Sequence, residues 1–230
     1  MKTLETNRLN GQNGNIGKPI SLPAMNIKTV DVPIYGVTPL MVLRFSEKAR
    51  NMMLAKQMGE AKAGKVNKEP LALFKEAAYR DEDGFIFPSV CFKAAAVACA
   101  NDIEMKQTEM RRAFHVCGEY VRIEAPAITK PVTEWDEKFK KDLVWEHKHG
   151  CSMRCDSVRL ASGVADLRFR AWFPQWQTVL RIDYNESIIS LEQLLMLYTV
   201  AGFGNGVGEW RPGSKESKTG TYGRWKLNQD

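Results

Sequence analysis

Apolar and polar residues alternate along residues 27–35, IKTVDVPIY, with Val30, Val32 and Ile34 on one face. That period of two predicts a strand, and Pro33 sets it at a sheet edge or near its own end. From Phe45 the apolar positions move to helical spacing at Phe45, Ala49, Met52 and Met53, with Ser46 as a candidate cap. Pro88 opens a second expected helix, whose stripe of Val90, Cys91, Ala94, Ala95, Ala98 and Cys99 is small enough to lie close on a sheet. HVCGEYVRIE, residues 115–124, reads as a strand. Two further strands follow at VADLRFRAWF and QTVLRIDY, joined by a Pro174-Gln175 turn. In the first, Leu167, Phe169, Ala171 and Phe173 share the inward face, while Arg168, Arg170 and Trp172 share the outward one. Ser190 and Gln193 then form a capping box ahead of a helix with Leu191, Leu194, Leu195, Tyr198 and Ala201 on its apolar stripe. A last strand, TYGRWKL, closes the pattern after a run of glycines.

Taken in order, these elements predict an α+β fold: a ferredoxin-like βαββαβ core, an RRM-like antiparallel sheet with helices on one face and the other face open. Residues 1–26, rich in Asn and Gly, read as a flexible N-terminal arm ahead of a single domain over 27–230. Residues 59–86, punctuated by Gly59, Gly64, Pro70 and an Asp81–Gly84 turn, read as one insertion. Residues 125–163 have no clean period and read as a second insertion, a long excursion with room for a small projecting hairpin, of the kind that often carries function.

Length and composition narrow the class. A chain of 230 residues with 44% hydrophobic content can build a proper core. No apolar run nears the roughly 20 residues a membrane span needs, and the N-terminus lacks a signal peptide's apolar stretch, so a cytoplasmic protein without a membrane partner is expected. Five cysteines without framework spacing are expected as free thiols. The net charge of +6 and the pI near 9.0 are compatible with a nucleic-acid partner and equally with an ordinary basic surface.

The charge matters more for where it falls. Between Arg44 and Arg80 there are nine Lys or Arg against four Glu, with Arg44, Lys48 and Arg50 at its start. On the expected open sheet face stand Arg168, Arg170, Trp172, Arg181, Tyr222, Arg224 and Lys226. Guanidinium groups neutralise phosphates and flat rings stack on bases, which is what single-strand binding requires. Glycines at 202, 204, 206 and 208 follow a helix, and Trp210 and Arg211 follow them. Glycine allows positive φ and close approach to the main chain, and the exposed N–H groups of Gly204, Gly206 and Gly208 suit phosphate oxygens. A dinucleotide loop would need a strand before the glycines and a helix after, the reverse of this order. A Walker loop is absent, because no Gly-Lys-Ser/Thr occurs.

A helix, a glycine-rich loop and a final strand carrying Gly-x-x-Gly-basic-aromatic (Gly220, Gly223, Arg224, Trp225) resemble the C-terminal signature of the repeat-associated mysterious proteins, the RNA-binding superfamily of CRISPR effector complexes. The order of elements over most of residues 27–227 is most similar to the backbone-subunit branch. The segments YGVTPLMVLRFSEKA, FPSVCFKAA and GVGEWRP also resemble phage and prophage proteins of about this length. The resemblance implies that the glycine loop packs beside a ferredoxin-like sheet and contacts an RNA backbone. It implies single-stranded RNA, or DNA, as partner, and a homo-oligomer or a ribonucleoprotein subunit as the assembly. A phage-encoded relative would serve as a strand binder, a recombination accessory or a defence antagonist, in the host's bacterial cytoplasm.

Two other chemistries stay open. His115, His147, His149 and Tyr35 are the candidates if the chain processes RNA by general acid–base catalysis. His147, His149, Cys151 and Cys155 have ligand types that zinc accepts, without the usual paired spacing and over a span very tight for one tetrahedron. The expectation is therefore a non-enzyme with no metal and no cofactor. A protein-interaction or structural role remains the third alternative.

Overall fold

The computed structural model describes residues 25–45, 47–59, 68–159, 163–215 and 217–227. The expected arm over 1–26 lies almost wholly outside them. In chain order the elements are β1 (Ile27–Gly36), β2 (Leu40–Val42), α1 (Glu47–Gln57), α2 (Pro70–Ala77), β3 (Phe85–Pro88), α3 (Ser89–Ala98), α4 (Gln107–Ala113), β4 (Phe114–Val116) and β5 (Tyr120–Ile123). They continue with α5 (Glu134–Phe139), α6 (Val144–Lys148), β6 (Ser152–Arg159), β7 (Ala165–Phe173), β8 (Gln177–Asn185), α7 (Leu191–Gly204) and β9 (Trp225–Lys226).

The fold is mixed α+β with antiparallel sheets. The larger sheet has the order β4-β8-β1-β9, every pair antiparallel. Its longest pairing runs β1 against β8, from Ile27 opposite Asn185 to Tyr35 opposite Gln177. Alternation dictates which face is covered: Val32 and Ile34 of β1 and Leu180, Ile182 and Tyr184 of β8 are buried, under α3 and α7. Phe114 meets Tyr198 edge-on and Phe92 meets Trp225, so both helices are tied to this sheet through aromatic contacts. The capping box at the start of α7 forms in both halves: Ser190 Oγ accepts from the Gln193 amide, and Gln193 Oε1 accepts from the Ser190 amide.

β7 departs from expectation. It does not pair with β8 across the Pro174-Gln175 turn. It is the middle strand of a separate sheet, β2-β7-β6, in which Arg154 stands opposite Arg170. The cause is Trp176, whose buried indole packs on Gly36 and donates to the Thr38 carbonyl at 2.9 Å. That anchor turns the chain from one sheet into the other instead of folding it into a hairpin. The excursion over 125–163 supplies the true partner of β7, the strand β6, together with α5 and α6.

α3 also sits in a different phase. Pro88 ends β3 and the helix begins at Ser89, so the buried residues are Phe92, Ala95, Ala96, Val97 and, at the C-cap, Cys99. Val90, Ala94 and Ala98 of the expected stripe are exposed. Among the described residues no helix is long and apolar enough to cross a membrane.

Candidate nucleic-acid interface

The chain leaving β2 runs along the surface as Leu43, Arg44 and Phe45. The Arg44 amide donates to the Ala77 carbonyl at 2.7 Å, which pins this stretch beside the end of α2. The Arg44 guanidinium then lies over the Tyr79 ring, 5.5 Å from its centroid, and Phe45 is 60% exposed. Burial, with Cys91 nearby, pushes the Tyr79 hydroxyl up, so it stays protonated at neutral pH. Across from Arg44 stand Leu167 and Arg168 of β7, and the space between them is a hollow of about 470 Å³. Lys68 bonds Asp166 at its rim and holds that carboxyl below its ordinary value.

The glycine segment forms the continuation. Gly206 and Gly208 both take left-handed φ, 64° and 80°. The Glu209 amide donates to the Met41 carbonyl at 2.8 Å, and a β-carbon at Gly208 would overlap that same carbonyl. The close approach that these glycines permit is thus to the chain's own β2. Arg211 Nη1 donates to the Gly208 carbonyl at 2.9 Å and holds the loop's shape. Between this loop and α3 lies a second hollow of about 350 Å³, with Cys91, Ala94 and Ala98 on its helical wall. Burial pushes the Cys91 thiol up, and the neighbouring Arg211 pulls it partly back.

Leu43 and Glu209 line both hollows, so the two adjoin and together make up the candidate cleft. It brings together five of the residues expected from sequence: Arg44, Arg168, Gly206, Gly208 and Arg211. Three guanidinium groups along one depression are chemically suited to successive phosphates.

Arg170 and Trp172 do not lie on an open sheet face. Arg170 is 1% exposed, bonded to Asp156 at 3.2 Å, 3.6 Å from Glu209, and set 5.0 Å over the Trp210 ring. Trp172 is buried edge-on against Tyr222, which in turn stacks on Trp210. Arg154 closes the assembly, 4.5 Å over Trp172. The second face of β7 is covered as well, by the segment carrying Glu209, Trp210 and Tyr222. Arg154 was missed because β6 lay inside the stretch without clean period, although Met153, Cys155 and Ser157 alternate with Arg154, Asp156 and Val158.

The remaining expected residues are scattered. Arg181 is exposed on β8, on the outward face of the larger sheet, but in register with Asp31 and next to Asp183. That face carries mixed charge and is not an Arg–aromatic platform. Gly204 belongs to the last turn of α7, not to the loop. Arg224 lies over Phe203 at 4.7 Å, Lys226 stands opposite Tyr35, and Arg50 is exposed on α1. The side chain of Lys48 falls outside the described residues.

The histidines and Tyr35 do not converge. His115 Nδ1 is 3.0 Å from the Lys93 ammonium. His147 stands 3.3 Å from Asp136, a fully buried carboxylate that accepts from Ser152 Oγ and the Met153 amide. His149 bonds the Trp145 carbonyl and packs on its ring. Cys151 is buried and Cys155 lies on β6. Among the described residues, no group of three or more His, Cys, Asp or Glu could hold a metal ion.

No family model matches the chain, and no curated protein matches its sequence. Among solved structures it is similar to the crystal structure of Cmr6 from Pyrococcus furiosus, with 9% identity and a TM-score of 0.37, over 89% of this chain and 100% of that one. A superposition that loose has no bearing on role.

Proposed function

We propose that this protein binds single-stranded nucleic acid, RNA in preference to DNA, as a module of the repeat-associated mysterious protein type that its sequence resembles. The observation that carries this reading is the cleft shared by Arg44, Arg168, Arg211 and the glycine loop. Its lining carries Arg44, Lys68, Arg168 and Arg211 against Glu76, Asp166 and Glu209, so the arginines are spread along it with basic groups in slight excess. The order β4-β8-β1-β9, with α3 and α7 on one face, agrees with a ferredoxin-like βαββαβ core in which β7 and β6 are part of the insertion. Further copies take successive stretches of the strand. The reading assigns no chemical step to the protein, since the histidines share no site.

The test is fluorescence anisotropy of labelled single-stranded RNA and DNA oligomers across a range of salt. The wild-type protein is expected to bind RNA more tightly, with affinity falling steeply as salt rises. The Arg44→Ala/Arg168→Ala double variant is expected to lower the slope of log K against log salt by about 2, roughly one per phosphate contact. An unchanged slope and affinity in that variant would sink the assignment of the cleft.

A further inference from the structure

Phosphate binding gives no reason for a carboxylate at the middle of the cleft, yet Glu209 stands there. It lines both hollows, with Arg44 and Arg168 in one and Arg211 in the other. The cleft's other carboxylates are placed differently: Lys68 bonds Asp166 at the rim, and Glu76 is exposed on α2. Glu209 is anchored. Its amide donates to the Met41 carbonyl at 2.8 Å, and its Oε2 lies 3.6 Å from Nη2 of the buried Arg170. Arg170 already has a counter-charge in Asp156 at 3.2 Å, so neutralising it does not by itself account for Glu209. The backbone on both sides of Glu209 is left-handed, with φ 80° at Gly208 and 51° at Trp210. Such backbone is costly at a residue as bulky as tryptophan and persists where the surroundings impose it, often at a working site. Here Arg170 and Tyr222 hold the Trp210 ring, and the strained turn fixes where Glu209 projects. The Glu209 side chain keeps 35% exposure, so its carboxylate is reachable from the cleft.

A strand held by its phosphates on both sides of Glu209 brings a sugar to that carboxylate. Between successive phosphates, the hydrogen-bond donor that a nucleic-acid backbone carries is the ribose 2′-hydroxyl, which DNA lacks. We propose that Glu209 accepts a hydrogen bond from a 2′-hydroxyl and is the residue that sets the preference for RNA over DNA, an inference that rests on the strand-binding reading above. With RNA the carboxylate gains a donor. With DNA it faces the phosphates of the strand with no donor between, which counts against the wrong sugar.

The experiment measures binding of the full chain to labelled single strands of one sequence made with ribose, 2′-fluoro or deoxyribose sugars. The fluoro sugar keeps the pucker of ribose and has no donor. Wild-type protein is expected to bind the ribose strand about tenfold more tightly than either of the others, the scale of one hydrogen bond to a charged group. Glu209→Gln is expected to cut that preference to about threefold, because a neutral hydrogen bond is worth roughly half a charged one. Glu209→Ala is expected to abolish it, and melting curves show which variants fold. The 2′-fluoro comparison needs only wild-type protein, so it decides the matter even where a variant fails to fold. If wild-type protein binds ribose and 2′-fluoro strands alike, or if folded Glu209→Ala keeps the full preference, the inference falls while strand binding stands. If no strand binds wild-type protein, both fall. A preference that follows the base in homopolymers and persists with 2′-fluoro sugars overturns the sugar assignment in favour of a base edge.

Discussion

Arg170 is a guanidinium almost wholly removed from water, held by Asp156 and Glu209 and by the face of Trp210. Removing one partner of a buried charge pair leaves the other uncompensated. Arg170→Ala is therefore expected to destabilise the protein by about 3 kcal/mol in urea unfolding, and Arg170→Lys to recover only part of that, because an ammonium lacks the planar fork. The salt slope of strand binding should not change in a variant that still folds, since a covered side chain meets no phosphate. Alternation in the sequence correctly grouped Arg168, Arg170 and Trp172 on one face of β7. Their different fates could not be read there. Arg168 sits at the strand's open end, while Arg170 and Trp172 are covered by Trp210 and Tyr222, residues about forty to fifty positions downstream.

Among the helices, α7 was the most legible. Its start is encoded locally by Ser190 and Gln193, whose two hydrogen bonds satisfy amides the helix itself leaves free. Ser190→Ala is expected to lower stability by about 1 kcal/mol, seen as a shifted urea midpoint with an unchanged m value. α3 was less legible for a physical reason. Alanine, cysteine and valine occupy most of its positions, so several faces look equally apolar and a shift of one residue in its start rotates the stripe. What selects Phe92 and Ala96 is packing against the larger sheet, while Ala94 and Ala98 border the cleft.

Across the whole molecule, the C-terminal segment ties the two sheets together. β9 pairs with β1 in the larger sheet, while Trp210 and Tyr222 pack on β7 in the smaller one, and the Gly223 amide donates to the Pro39 carbonyl between β1 and β2. The segment covers one face of the smaller sheet and adds the edge strand of the larger one. Tryptophan fluorescence and far-ultraviolet circular dichroism are expected to report one coincident unfolding transition. Two separated transitions would mean that the sheets are independent units. The sequence by itself determined the α+β class, the faces of β1 and β8, the cap of α7 and the place of Arg211 just after a glycine loop, because each is set by neighbours a few residues apart. Tertiary structure alone decided that β7 leaves β8 for β6 and that Arg170 is buried. It also decided that Arg44, Arg168 and Arg211 share one cleft. Those outcomes depend on contacts between segments tens to more than a hundred residues apart, where Trp176 anchors the corner and the C-terminal segment closes over β7, and no local period records them.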